Sequence, residues 1–314
     1  MGHRSLVVRF VIMVAICLPV TLVAASGPGA LAAVGSPAGA GRHVRVASRG
    51  GAAFAAIRAA GRKAAPWVPD SGPRSRSATK TGLAAPRMSL AMRRANAEKQ
   101  AIARTFLARM RRLAGSAGSC AKRPCRAGLP AARDLKPTQR AQITNYFCGP
   151  AAVSEMLAQM NVIVGQRKSA RELGTTQDGT AWSDSSGYPV PKVLNEDQGI
   201  NDYVAVGLPW VPSRSELRTY KRDLVTDINH RSGAPLAGDA YEVPGGPHLV
   251  GHPASLTIFH WFDIRGYRNS GAITDYEDSV HGASSIGWGA SVPAYSSLAS
   301  SAIVNIVGAR GYDW

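Results

Sequence analysis

The first long apolar run extends from Phe10 to Ala25, behind Arg4 and Arg9 and ahead of Ser26-Gly27-Pro28-Gly29. From Ala33 to about Gly118, large apolar residues are sparse among Ala, Gly, Arg, Ser and Pro, and no strand alternation develops. That composition predicts disorder over most of the segment. One piece differs: between Leu90 and Leu113, Ile102, Phe106, Met110 and Leu113 keep helical spacing among Arg93, Arg94, Arg104, Arg109, Arg111 and Arg112, which predicts a basic amphipathic helix near 90–113. A second helix is announced by Gly149-Pro150, because proline suits the first helical turn, and Val153, Met156, Leu157 and Met160 recur on one of its faces. Signals from Asn161 to Gly233 are mixed. A short helix is expected around Pro191 to Leu194, and a clear amphipathic one from Ser215 to Ile228, capped by Ser213 or Ser215 and packing through Leu217, Tyr220, Leu224, Val225 and Ile228. Pro235 to Val243 reads as a strand. Leu256, Ile258, Phe262 and Ile264 share a second strand face with His260; Arg268-Asn269-Ser270-Gly271 makes a turn, and Ala272 to Val280 returns as a third strand.

Composition then divides the chain. The 314 residues admit two domains, or one domain with appendages, and charge favours the latter. Residues 1–134 hold 23 Lys and Arg against 3 Asp and Glu, whereas residues 135–314 hold 14 against 17, a net of −3. The basic character is therefore N-terminal, and nucleic-acid binding by the C-terminal part is not expected. Arg4, Arg9, the apolar run and Ala30-Leu31-Ala32 form the pattern of a secretory signal peptide over 1–32, and the run is shorter than the roughly 20 residues of a membrane span. Cys17 follows Ile16 where a lipid-modified cysteine wants a small residue. The expected layout is a signal peptide (1–32), a basic, mostly disordered pro-segment or linker (33–134) and a folded domain (135–314). The basic segment suits three uses: a removable mask, adhesion to an anionic cell-wall polymer or membrane surface, or a solvated spacer.

Cysteine and histidine placement narrows the chemistry. Cys120 and Cys125 are close enough to close a small loop in an oxidising compartment, which leaves Cys148 as an odd thiol and favours a use for it. His248 and His252 lie four apart, but Pro247, Pro253 and the glycines at 245, 246 and 251 argue against a metal-binding helix there. Cys148 stands at the predicted helix start, where the positive end of the helix dipole favours a thiolate. Gln142, six residues earlier, sets an amide within reach of that start, where with the Cys148 N–H it can bind an oxyanion.

Gln142, five intervening residues, then Cys148-Gly149-Pro150-Ala151 resembles the nucleophile motif of the C39-type, papain-like cysteine peptidases. His260, followed by apolar residues and Gly266-Tyr267, is similar to the histidine strand of that family. The resemblance covers about Thr138 to Val280. It implies an α+β fold with a papain-like cysteine peptidase core, the nucleophile helix packed on an antiparallel β-sheet. It also implies a secreted peptidase acting on peptide or protein substrates through a Cys-His-Asp triad with a Gln oxyanion donor, needing no metal or organic cofactor. A turn centred near Asn269 pairs positions that sum to about 538, placing His260 opposite Asp278 and Asp275 opposite Asp263. Asp278 is thus the first candidate to orient His260. Asp275 is the second, because Asp278-Ser279 departs from the Asp-Pro common in the family. The same constellation serves cell-wall peptide amidases and transpeptidases, and a catalytically silent peptide-binding module would keep the fold with an unreactive Cys148. No Gly-x4-Gly-Lys-Ser/Thr loop accompanies it, so the transporter-fused leader peptidases of the family are a poor match. The oligomeric state is left open.

Overall fold

Period-two alternation and helical stripes resolve into thirteen elements in the computed structural model, which describes residues 86–115, 128–200, 202–230 and 232–314. The expected signal peptide, most of the basic segment and the pair Cys120 and Cys125 lie outside these residues. In chain order the elements are α1 (Leu90–Gly115), β1 (Arg133–Asp134), α2 (Cys148–Gln159), α3 (Gln166–Glu172), α4 (Pro189–Gln198), β2 (Ala205–Gly207), α5 (Arg214–Asn229), β3 (Leu236–Glu242), β4 (Ile258–Arg268), β5 (Ile273–Glu277), β6 (Tyr295–Ala299), α6 (Ser300–Ile306) and β7 (Gly311–Asp313). The strands form one sheet in the order β2-β7-β3-β4-β5-β6, with β1 pairing on β4 past the end of β3, and every pairing is antiparallel. The class is α+β. Among the described residues no helix is long and apolar enough to cross a membrane.

Successive strand residues point to opposite faces, and both faces are covered. Leu236, Phe262, Ile264, Tyr276 and Tyr312 pack with Tyr220, Leu224 and Ile228 of α5 and with Ile303 and Val307 at α6. Their neighbours Ala237 and Trp261 turn the other way, onto Cys148, Ala152 and Met156 of α2 and Val190, Val193 and Leu194 of α4. Helix α2 is buried along its whole length. Its expected stripe of Val153, Met156 and Leu157 is therefore only part of what is covered, and Ala151, Ala152 and Ala158 let neighbours close in on the remaining sides. Helix α5 starts on a capping box: the Ser213 side chain accepts from Glu216 N–H while the Glu216 carboxylate accepts from Ser213 N–H.

Two expectations change. The hairpin between β4 and β5 pairs Arg268 with Ile273 and turns through Asn269, Ser270 and Gly271, all at positive φ (50°, 53° and 84°). This centres the turn later than assumed, and after a bulge between Ile264 and Gly266 the register places Asp263 opposite Glu277 and Ile264 opposite Tyr276. The slip is even near the bulge, so faces are kept while partners change. Helix α1 also departs from its expected role as part of an appendage. It docks on α5 and β2, burying Ala103 and Gln100 with Met92 and Ala95 against the body, while Ile102, expected on the apolar stripe, is 63% exposed.

Candidate active site

Helix α2 begins at Cys148 without a side-chain cap, and Ala151 N–H bonding to Phe147 O closes its first turn. Pro150 has no N–H to leave unpaired there. Gly149 has a separate reason: a Cβ at this position would stand 2.3 Å from Thr180 Oγ1, so the 175–180 loop can only lie against the helix start because the side chain is missing. Thr180 is held in turn by Thr175 Oγ1 and, at its carbonyl, by Trp261 Nε1–H. Cys148 is a free thiol, 6% exposed, among Trp182, Trp261 and Tyr188. The helix start leaves its backbone N–H without an intrahelical acceptor.

His260 on β4 and Asp278, one residue past β5, meet directly: the Nε2–H of His260 donates to Asp278 Oδ1 at 3.0 Å. With Nε2 committed, Nδ1 is the nitrogen left for the Cys148 thiol, whose influence on the ring is to raise its basicity. Burial would lower the pKa of this imidazole. The Asp278 charge and hydrogen bond, with the Cys148 contact behind them, outweigh burial and hold it well above the usual histidine range. For Asp278 burial pushes the carboxyl up, but the two histidines beside it pull it well below the usual carboxylate range. Its Oδ1 also accepts from Val280 N–H at 2.9 Å, which fixes the carboxylate on the loop that follows β5. Asp275 goes elsewhere. It pairs with Gly266, and its carboxylate is forked by Arg268 Nε and Nη2 and bonded by Ser297, so the structure does not bring it to His260.

The second histidine on Asp278 is one that sequence reasoning set aside. His252 Nε2 lies 3.0 Å from Asp278 Oδ2, and His252 Nδ1 lies 2.8 Å from Glu242 Oε2. Both ring nitrogens thus face carboxylate oxygens, an arrangement satisfied by the doubly protonated ring. Burial lowers the pKa of His252, but Asp278 and then Glu242 raise it further, for a net upward shift. Glu242 is itself anchored by Leu249 N–H at Oε1, and Trp288 packs edge-on to His252 with ring centroids 4.8 Å apart. The result is a buried row, Glu242, His252, Asp278, His260, Cys148, of alternating acidic and basic groups. The available signal is the acid that ends β3 and the histidine that follows it ten residues later, a pair that the four-residue spacing of His248 and His252 obscures. His248 instead faces two carbonyls, those of Gly246 and Leu256.

Gln142 is 3% exposed and tied to the segment after Asp278. Its N–H donates to Ser279 O, its Oε1 accepts from Ser279 Oγ, and its Nε2 donates to Thr144 O at 2.7 Å. One hydrogen of the amide remains for another acceptor. A cleft of about 420 Å³ opens beside the residues that precede the nucleophile, lined by Tyr146, Phe147, Arg167, Arg171, Thr175 and Thr176. His252, His260 and Asp278 are close enough to share a cation. Three of the four histidine nitrogens and both carboxylate oxygens already bond within the row, however. Chemically, the arrangement offers a thiol and a strongly basic imidazole whose far nitrogen is fixed by a carboxylate. A scan of the sequence against protein-family models finds no match, and a search of curated proteins finds none.

Proposed function

We propose that this chain is a secreted cysteine peptidase of the C39-like, papain-like kind. The observation that carries the proposal is the bond from His260 Nε2 to Asp278 Oδ1, on a strand packed against the helix that begins at Cys148. A nucleophile helix set against an antiparallel sheet that bears the base and its acid supports the papain-like layout. Arg4, Arg9, the apolar run and Ala30-Leu31-Ala32 support export.

In the proposed reaction the Cys148 thiolate adds to the carbonyl carbon of a peptide bond. The Cys148 N–H and the free amide hydrogen of Gln142 take the developing oxyanion. The imidazolium of His260 gives a proton to the leaving amine as the C–N bond breaks, and a thioester remains. His260 then takes a proton from water, the hydroxide adds to the thioester, and the acid product leaves as the thiolate is restored. Asp278 keeps His260 in the tautomer and orientation both steps need. Arg167 and Arg171 in the adjoining cleft favour a substrate carrying a carboxylate on that side.

The test is the pH dependence of Cys148 alkylation by iodoacetamide, in the native protein, in His260→Ala and in a denatured control. The expected result is reaction well below the ordinary thiol range near pH 8.5, lost in His260→Ala. Reaction only near that pH, unchanged by His260→Ala, would overturn the proposal in favour of a binding module.

A further inference from the structure

Two and three turns past Cys148, the same helix α2 carries Glu155 and Gln159, both buried. They meet Asp263 of β4 and Glu277 of β5, which stand opposite each other in register. Glu155, Asp263 and Glu277 are 1%, 0% and 0% exposed, and one carboxylate oxygen from each lies within 4.8 Å of the other two. Three formal negative charges in a dry interior are untenable without compensation. Arg265, whose charge acts on Asp263, is itself bonded to Leu135 O and to Asp134.

Hydrogen bonds account for only part of the cluster. Glu277 is well supplied, accepting from Thr138 N–H at 3.0 Å, Thr138 Oγ1–H at 2.6 Å, Gln139 N–H at 2.9 Å and Gln159 Nε2–H at 2.6 Å. Glu155 accepts from Arg140 N–H through Oε1, and Asp263 accepts from Gln159 Nε2–H through Oδ2. Among the described residues Glu155 Oε2, Asp263 Oδ1 and Gln159 Oε1 have no hydrogen-bond donor, although each is buried. What sets this cluster apart is that three donorless oxygens gather where three carboxylates converge, the setting a cation suits. A proton on Asp263 would remove charge and bridge to Glu277, but it would leave Glu155 Oε2 and Gln159 Oε1 without a donor. A cation removes the charge and engages oxygens of this kind. Three atoms no more than 4.8 Å apart share a point within about 2.8 Å of each, close to the ~2.3–2.6 Å that calcium keeps to oxygen.

We propose that Glu155, Asp263 and Glu277, with the amide of Gln159, form a structural site for a hard divalent cation, calcium in first place. Half a turn of the Gln159 amide about its last torsion exchanges Nε2 for Oε1 and adds a fourth oxygen. The all-oxygen donor set suits calcium, whose relaxed geometry tolerates irregular ligands, better than zinc, which favours nitrogen and sulfur. The ion ties α2 to β4 and β5 behind the nucleophile, and the site stands whether or not Cys148 is catalytic.

The experiment uses the full chain, stripped with EDTA and desalted, with melting followed in EDTA and in 1 mM calcium, magnesium or manganese chloride. The metal content of the protein as purified is measured by mass spectrometry. The expected result is a rise in Tm of about 5 °C or more with calcium, larger than with the other ions, and abolished in Asp263→Asn and in Glu277→Gln. Should a variant fail to fold, calorimetric titration of the stripped wild type with calcium carries the test, one equivalent being expected. A Tm unchanged between EDTA and all three ions, with no bound metal in the purified protein, would overturn the proposal and leave a proton-sharing carboxyl cluster. So would a calcium shift retained in both variants, which would place the ion elsewhere.

Discussion

His252 is gripped by Glu242 and Asp278, and both carboxylates favour its charged form. It acts through Asp278: a second cation on that carboxylate limits how far Asp278 can raise the basicity of His260. Replacement by glutamine keeps a hydrogen-bond donor for Asp278 but removes the charge, so in His252→Gln the imidazolium of His260 persists to higher pH. The alkaline limb of peptidase kcat/KM, which reports loss of the imidazolium, is expected to move upward, with a rate change of roughly tenfold or less. Asp278→Asn differs in kind, since it deprives both rings of their carboxylate, and a loss of peptidase kcat/KM of about 10²–10⁴ is expected. Comparing the two pH profiles separates orientation from charge balance. At this scale Cys148, His260 and Asp278 were legible because each sits in a local pattern: a helix start, a strand, a returning strand; Gln142 was singled out by a fixed offset, and the bonds it makes are to Ser279 and Thr144. Glu242 and His252 were not, because their meeting depends on how the 243–257 loop folds back, and a proline- and glycine-rich loop has no periodicity to read.

Helix α1 shows how a stretch rich in arginine can still belong to a core. Lys99 donates to Asp227 at 2.8 Å and lies over the Trp314 ring, 4.5 Å from its centroid, while Gln100 donates to Asp223 and Trp314 Nε1–H donates to Asn96 Oδ1. Removing the cation leaves the Asp227 carboxylate buried and unpaired. Lys99→Met is therefore expected to cost about 3 kcal/mol of stability, and Lys99→Met with Asp227→Asn to recover most of it, as urea unfolding of the full chain will show. The spacing of Phe106, Met110 and Leu113 found the half-buried second half of the packed face, and Ile102 alone stands outside it. In its first half that face runs through Met92, Ala95, Lys99, Gln100 and Ala103, where polar residues with specific partners replace apolar ones. A hydrophobicity pattern cannot register a contact made by a lysine and a glutamine. Capping, by contrast, is local chemistry, and Ser213 with Glu216 sets the start of α5 as the sequence suggests.

Across the whole molecule, buried acids make stability depend on pH. Burial pushes the Asp223 carboxyl up to about 7, against the pull of Tyr312, Arg222 and Gln100, and pushes Asp239 up to about 6, against Arg310. A carboxyl whose folded value is raised contributes stability that is complete below its unfolded value and is lost as pH rises through the folded one. Stability from these two groups should thus fall between about pH 4 and 7. Asp223→Asn should flatten that loss, gaining on the wild type by roughly 2–4 kcal/mol at pH 7.5 relative to pH 4 in urea midpoints. The antiparallel sheet and its central hairpin could be anticipated from alternating residues. Strands β2 and β7, three residues each, are too short to show a period, and their place in the sheet comes only from pairing. That pairing has a consequence in time. Strand β7 lies between β2 and β3, and its partners in β2 are about 100 residues earlier in the chain. As the polypeptide emerges from the ribosome, β2 and β3 must wait with open edges until Gly311 to Asp313 arrive to fill the gap. Closure of the sheet is therefore a late and slow event, and a chain interrupted anywhere before that point presents two unpaired edges to its neighbours.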